Sequence, residues 1–370
     1  MRVLFLTNIP SPYRVDFFNG LAKNCELTVL FERDSATNRD PSWYGKNFEF
    51  DYHFLKSLKI KEESSLSLEM IRYFRQDYDL IIISGYSSLT AILSIVYLKF
   101  NKKNFVMVVD GANEVYKKNI KFYFKKFLIS SASAWLSTGE NVTNYLVYHG
   151  ACRERIFKYP LASFFEKDFT ELLSEEEKRK IREELGVTEQ KLVIYVGRIA
   201  PYKRVDLMLK SCTSIDDVRI CIIGGQENEE LKRIRNENNI KNVTYINHAN
   251  KETVKKFFMC ADLFVFLSVG EIWGLVVAEA MSQSCLVLAT DGCTAAKELI
   301  LDEWNGFIID QNIQNDKEIN FKIKKILSES KHNDIIRKQA YQSVKDYTIE
   351  NMVSENYNIF SYILENIINE

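Results

Sequence analysis

The chain has 370 residues, 46% of them hydrophobic, and a formal net charge of −1. That size and apolar content exclude a disordered or fibrous chain and point to two globular domains. The near-neutral total conceals unlike halves: residues 1–170 carry 23 basic and 18 acidic side chains (+5), and residues 171–370 carry 26 and 32 (−6), so the first half favours an anionic partner.

The N-terminal run MRVLFLTNIPSPYR lacks the long apolar segment and small-residue cleavage site of a signal peptide, so RVLFLT (2–7) reads as a first strand. A helix is expected at FFNGLAK (17–23) and a strand at ELTVLF (26–31). A second helix is expected at SLEMIRYFRQ (67–76) and a strand at LIIIS (80–84). The apolar run 79–98 contains Ser, Gly, Thr and Tyr and suits a buried strand plus helix better than a membrane span. FVMVV (105–109), a helix over 116–132 and AWLST (134–138) complete this series. Near 160–175 the composition turns polar, and SEEEKRKIREELG follows, with Ser174 and Glu177 spaced as a capping box and Gly186 as a helix stop. Strands then recur at 191–197, 219–225, 243–247, 263–268, 285–290 and 306–310, and the tail from 318 is helical. Short strands alternating with helices predict parallel α/β layers. The expectation is two doubly wound domains, 1–170 and 171–348, facing each other across a cleft.

The seven cysteines (25, 152, 212, 221, 260, 285 and 293) form no CxxC pair and fit free thiols in a reducing cytosol. The four histidines are scattered, so no HExxH-type metal site is expected.

Three motifs in the second half carry chemistry. GRIAPYKR (197–204) follows a strand; Gly197 permits close backbone approach, and Arg198 and Lys203 are either solvated loop cations or partners for a diphosphate. Gly224 and Gly225 follow the next strand and either make an ordinary turn or admit a nucleotide. In EIWGLVVAE, Glu271 and Glu279 flank Gly274, Leu275 and Val276 at the start of an apolar helix. A helix start offers free amides and a positive dipole end to phosphate. Glu279 would lie about 7–8 Å along the axis from Gly274, a suitable gap between phosphate and ribose. Glu271 would then meet the sugar of a nucleotide sugar. The plainer alternatives make Glu279, Ser282 and Gln283 the solvent face of this helix and Glu271 a loop acid.

GRIAPYKR, GG, EIWGLVVAEA and LVLATDGCTAAKELI, in that order, resemble glycosyltransferase family 4, strongly over about 190–310 and more loosely elsewhere. The resemblance implies a GT-B fold, α/β with two Rossmann-like domains, whose last helix, here 349–367, crosses back onto the first domain. It implies a retaining, metal-independent transferase that takes a sugar from a UDP- or GDP-sugar and uses no other cofactor. Glu271 and Glu279 match the family's pair of acids, Arg198 and Lys203 its cations, and Gly274, Leu275 and Val276 its phosphate-binding helix start. Trp273 stands where a Phe is usual, and Asn247 where a glycine is usual. NIPSPYR (8–14) replaces the glycine-rich first loop and resembles a subgroup of bacterial surface-polysaccharide transferases. Asn8, Tyr13 and Arg14 either point into the cleft or belong to a plain strand–helix connection. Asp110, where many relatives have a histidine nearby, either touches donor or acceptor or caps the next segment.

The segment 116–131 interleaves Lys117, Lys118, Lys121, Lys125 and Lys126 with Phe122, Tyr123, Phe124 and Phe127. It is either an ordinary amphipathic helix or a contact with the anionic inner face of the cytoplasmic membrane. No nucleic-acid-binding motif accompanies the charge. The expected protein is cytoplasmic, peripheral at that membrane face, and acts on a glycan acceptor, lipid-linked, in cell-surface polysaccharide synthesis. The competing readings are a GT-B sugar-nucleotide epimerase and a non-catalytic nucleotide-sugar-binding subunit. A nicotinamide dehydrogenase is disfavoured because no GxGxxG follows a strand.

Overall fold

The structure, a computed structural model, describes residues 1–35, 47–61, 64–112 and 118–368. The chain divides into two compact units: Met1–Glu166 with Tyr347–Glu370, and Lys167–Asp346.

In the first unit the elements run β1 (Arg2–Thr7), α1 (Pro12–Leu21), β2 (Glu26–Phe31), β3 (Asp51–Phe54), a hairpin of β4 (Leu58–Lys61) and β5 (Ser64–Leu66), α2 (Met70–Phe74), β6 (Leu80–Ser84), α3 (Leu89–Phe100), β7 (Val106–Val109), α4 (Ile120–Ile129), β8 (Ala134–Ser137), α5 (Glu140–Tyr148) and β9 (Ile156–Lys158). Seven strands form one parallel sheet in the order β3-β2-β1-β6-β7-β8-β9. The central strands are apolar along their length because helices cover both faces; all four residues of β7 and of β8 are buried.

Three helix expectations need correction. The first helix begins at Pro12, five residues before the expected Phe17, because Ser11 is extended and Pro12 takes the first helical position, where its missing N–H is no loss. Tyr13 and Arg14 therefore lie in the first turn of α1 rather than in a loop. The helix expected over 67–76 is only Met70–Phe74. The helix expected over 116–132 starts at Ile120, where the Asn119 side chain accepts the Phe122 amide (3.1 Å) and sets the boundary. Lys117 lies outside the described residues. β3, β9 and α5 had no expectation: the strands are three and four residues long, and α5 follows its strand after only two residues.

The second unit runs α6 (Glu175–Glu184), β10 (Lys191–Val196), α7 (Val205–Ser211), β11 (Val218–Ile223), α8 (Glu229–Glu237), β12 (Val243–Ile246), α9 (Lys251–Cys260), β13 (Leu263–Phe266), α10 (Leu275–Ser282), β14 (Val287–Thr290), α11 (Thr294–Leu299), β15 (Phe307–Ile309), α12 (Asp316–Ser328) and α13 (Ser330–Ser343). Its parallel sheet has the order β12-β11-β10-β13-β14-β15, and each strand falls inside or within one residue of an expected run. α6 opens on the expected capping box, with the Ser174 amide on Glu177 (2.8 Å) and the Glu177 amide on Ser174 (3.3 Å). It closes at Gly186, whose φ of +70° lets the Val187 amide turn back to the Arg182 carbonyl (2.8 Å).

In each sheet the order reverses at the first strand, beside β6 in one and β13 in the other. Such switch points open a crevice at the carboxyl ends of the strands, where open α/β sheets take ligands. The last helix, α14 (Ile349–Ile363), belongs to the first unit and packs on α1. Gly20 permits the approach: a Cβ there would lie 2.6 Å from the Val353 side chain.

Candidate functional site

The second unit gathers Gly197, Arg198, Lys203, Gly224, Gly225, Glu271 and Gly274 on the loops that leave β10, β11 and β13. Lys203 lies on a 3-10 turn, Pro201–Lys203, only 8% exposed. Its ammonium forms an ion pair with the Glu271 carboxylate and sits 4.6 Å from the Phe266 ring centroid and 5.3 Å from that of Tyr202. Ser268 also donates to the same carboxylate (3.3 Å). Glu271 is therefore not a loose surface acid; its side chain is only 19% exposed.

The Glu271 backbone is fastened as firmly. Its amide donates to Gly292 (2.9 Å), and its carbonyl accepts both the amide (3.3 Å) and the hydroxyl (3.1 Å) of Thr294. The turn after β14 thus fixes the acid that precedes α10. Trp273 is buried there; its carbonyl accepts from the Ala295 amide (2.8 Å) and the Cys293 thiol (3.1 Å). Its indole N–H meets no acceptor among the described residues.

Gly274 caps α10 with φ +100°, a left-handed conformation that favours glycine, and a Cβ there would meet the Cys293 sulfur at 2.5 Å. The amides of Leu275 and Val276 open the helix behind it. Gly224, at φ +109°, has the Gly197 carbonyl oxygen 2.6 Å from where its Cβ would be. The two strand-end glycines allow their own loops to touch, which is a packing requirement in its own right.

Arg198 is half-buried; its guanidinium reaches Tyr202 (3.4 Å), and its carbonyl accepts the Tyr195 hydroxyl (2.8 Å). Burial first, and then the negative charge of Glu271, push the Tyr195 phenol up, so it stays a neutral donor. Arg204 of the same motif is structural: it donates to the carbonyls of Gln311 (2.7 Å) and Ile313. Burial pushes the Cys293 thiol up to about 12, so the sulfur beside Gly274 is no nucleophile at neutral pH.

Glu279 is half-buried on α10. The alternative that groups it with Ser282 and Gln283 as a solvent face is incorrect for its two partners. Ser282 is 1% and Gln283 2% exposed, and the Gln283 amide donates to the Asp168 carbonyl (2.8 Å). The polar residues at this helix end tie it to the polypeptide that leads into the unit.

In the first unit, Asn8 lies exposed just past β1, its side-chain oxygen accepting the Ile9 amide (2.7 Å). Arg14 is 3% exposed and Tyr13 half-buried. Asp110 follows β7 and accepts from Arg14 (2.5 Å) and from Tyr159 (2.6 Å). Arg14 and Asp110 are thus brought together, whereas the Asn8 side chain hydrogen-bonds to neither. Neither Tyr159 nor Thr294 had been singled out. Tyr159 follows the three-residue β9, too short to register as a strand, and Thr294 shows its role only through a backbone carbonyl.

Ile120, Tyr123, Phe124 and Phe127 of α4 are 86%, 62%, 50% and 37% exposed, beside exposed Lys118, Lys121 and Lys126. Lys125 is exposed as well, and its ammonium donates to the Tyr145 hydroxyl (3.0 Å). Lys99 also lies on this face, 4.8 Å from the Phe127 ring centroid. Among the described residues no helix is long and apolar enough to cross a membrane.

Residues 177–343, all within the second unit, match the family model described as glycosyl transferases group 1. An uncharacterised glycosyltransferase of Methanocaldococcus jannaschii is 26% identical over 200 residues, 52% of this chain and 50% of that protein. The D-inositol 3-phosphate glycosyltransferase of Mycolicibacterium smegmatis is 33% identical over 109 residues, 28% of this chain and 25% of that protein. The chain thus spans half or less of the length of these curated relatives. Among solved structures, Anabaena HepE in complex with UDP superposes with a TM-score of 0.79 at 16% identity, over 98% of this chain and 100% of that one. The same protein in complex with UDP-glucose gives 0.74 at 15%, over 99% and 100%. The fold is that of the GT-B glycosyltransferases.

Proposed function

We propose that this GT-B chain, whose second unit matches the group 1 glycosyl transferases, is a retaining glycosyltransferase that moves a sugar from a UDP- or GDP-sugar to a glycan acceptor. The observation that carries the reading is the Lys203–Glu271 pair held at the entry to α10. In this reading the donor diphosphate lies against the first amides of α10, with Arg198 and Lys203 as its cations. Glu271 takes hydroxyls of the sugar and Glu279 those of the ribose. The UDP and UDP-glucose held by Anabaena HepE support a donor of this kind.

The barrier to transfer is charge separation: positive character on the anomeric carbon, negative charge on the departing diphosphate. Fixed donors aimed at the leaving group lower that barrier most. Arg198, Lys203 and the helix amides fill that role, so the reading calls on no metal ion. Retaining glycosidases place two carboxylates about 5–5.5 Å apart and use one as nucleophile. Glu271 and Glu279 are assigned to opposite ends of the donor instead; the acceptor hydroxyl attacks the face that the phosphate leaves, and its proton passes to the departing phosphate oxygen.

The test is a calorimetric binding screen of UDP, GDP and their common sugars, followed by transfer to lipid-linked saccharides and assignment of the product's anomeric configuration. Binding of no nucleotide, or an inverted product, sinks the reading.

The proposal extends to the acceptor: a lipid-linked glycan at the inner face of the cytoplasmic membrane, in surface-polysaccharide synthesis. The exposed aromatics of α4, ringed by lysines, support it. Each lysine near an anionic surface adds about 1 kcal/mol. Reversing Lys121 and Lys126 to Glu is expected to weaken binding to phosphatidylglycerol vesicles by more than roughly thirtyfold, and Phe124→Ser to weaken it further. Unchanged vesicle co-sedimentation of the charge-reversal variant rules this surface out.

A further inference from the structure

At the C-terminal edge of the first sheet stands a charged cluster whose carboxylate is partly open. Arg14 and Asp110 meet at 2.5 Å, with side chains 4% and 26% exposed. Tyr159, 3% exposed, donates to the other oxygen of the same carboxylate at 2.6 Å. The Thr138 hydroxyl holds the Asp110 carbonyl at 3.1 Å. The guanidinium also lies 6.0 Å from the Phe5 ring centroid and 5.6 Å from that of Tyr13. Burial, outweighing the Arg14 charge, raises the Tyr13 phenol; burial, reinforced by the Asp110 charge, raises that of Tyr159. Both phenols therefore remain donors at any ordinary pH.

A carboxylate has about four acceptor directions, two on each oxygen. Among the described residues, Arg14 takes one on Oδ2 and Tyr159 one on Oδ1. Both donors are themselves buried, whereas the Asp110 side chain keeps 26% of its surface exposed with acceptor capacity to spare. A joint of this size needs no charge: replacing a buried ion pair with apolar residues of equal volume is often neutral or stabilising. The cluster instead does what a plain joint does not. It fixes a carboxylate from behind and presents it where α/β sheets take ligands.

We propose that Tyr159 and Arg14 are positioning residues that hold Asp110 as a hydrogen-bond acceptor for a sugar hydroxyl, an inference that rests on the glycosyl-transfer reading above. Two fixed donors prevent the carboxylate from rotating, so a hydroxyl meets it in one orientation. Losing one of them lets the acceptor wander without emptying the site.

The test is a double-mutant cycle on the full chain, with turnover of the nucleotide sugar and affinity for the free nucleoside diphosphate both measured. Tyr159→Phe keeps the ring and its packing but removes the donor. It is expected to lower kcat roughly ten- to hundredfold, the range of a hydrogen bond to a charged group, while nucleotide Kd stays within about twofold. Asp110→Asn should lose at least as much, and adding Tyr159→Phe to it should change little more, because the two act through one group. A wild-type kcat for Tyr159→Phe, or full multiplicative loss in the double variant, overturns the proposal. Should Tyr159→Phe not fold, Arg14→Lys, which keeps the charge but loses the fork, takes its place in the same cycle with the same deciding outcomes. Failure of the glycosyl-transfer reading itself is distinct: it appears in the wild type as no nucleotide bound and no sugar moved.

Discussion

Glu271→Ala is expected to cut sugar transfer at least about a hundredfold while leaving affinity for the free nucleoside diphosphate unchanged or slightly tighter. The structure gives the reason for the second half. Lys203 is paired with Glu271, so removing the acid frees a buried cation whose remaining neighbours include the Phe266 and Tyr202 rings. In the proposed site that cation then answers only to the diphosphate. Glu279→Ala should behave in the opposite way, weakening nucleotide affinity by roughly ten- to hundredfold through loss of charge-assisted bonds to ribose. Glu271→Gln separates chemistry from packing, since its amide oxygen still accepts from Lys203. Isothermal titration with UDP and GDP, beside initial-rate assays, reads both quantities. Equal loss of nucleotide affinity in the two alanine variants would falsify the assignment of one acid to the sugar and the other to the ribose.

The largest expected loss of stability lies at Arg182, away from the proposed donor site. Its guanidinium donates twice to the Cys260 carbonyl (2.9 and 2.6 Å), to the Gln190 carbonyl (2.7 Å) and to the Asp262 carboxylate (2.8 Å). That carboxylate also takes the Leu192 amide at 2.7 Å. One side chain of α6 therefore fastens the entries to β10 and β13, the two strands at the switch point of the second sheet. Arg182→Met leaves Asp262 without its cation and the Cys260 and Gln190 carbonyls without its donors. Breaking a buried pair from one side costs about 3–5 kcal/mol, and the 23% exposure of the Asp262 side chain places this case near about 3 kcal/mol. For a unit of this size that is a fall in Tm of roughly 6–12 °C. Urea denaturation followed by circular dichroism measures it. A loss below about 1 kcal/mol means that water replaces the guanidinium at little cost. Adding Asp262→Asn to Arg182→Met should recover part of the loss, because the stranded charge is gone.

What the sequence revealed follows from where information is local. The inner strands of the second sheet were visible because a parallel strand buried on both faces needs an unbroken apolar run, as KLVIYV and LFVF supply; its edge strands β12 and β15 were visible from their short β-branched and aromatic runs. The Ser174–Glu177 box and the Gly186 stop were visible because helix ends are set by their nearest residues. The edges of the first sheet were less visible. β3 reads DYHF and β9 reads IFK; neither has enough apolar residues to announce a strand, and their pairing with β2 and β8 makes them strands. NIPSPYR reads as a loop although its Pro12 opens α1, since a proline suits a turn and a first helical position equally well.

The candidate site divides in the same way. By itself the sequence determined the α/β class, the strands of the second half and the inner strands of the first, and offered residue types that suit a diphosphate sugar, because periodicity, capping and charge are properties of neighbours along the chain. Only the tertiary structure decided which of those residues work together. Lys203 and Glu271 are 68 residues apart and share one ion pair; Arg14 comes from the first turn of α1, Asp110 and Tyr159 from the ends of β7 and β9, and the three share one carboxylate. Ser282 and Gln283 looked like a wet helix face and are buried. Hydrogen bonds and ion pairs act over a few ångströms of space without regard to sequence distance. Their partners are therefore set by where the sheets deliver the strand ends.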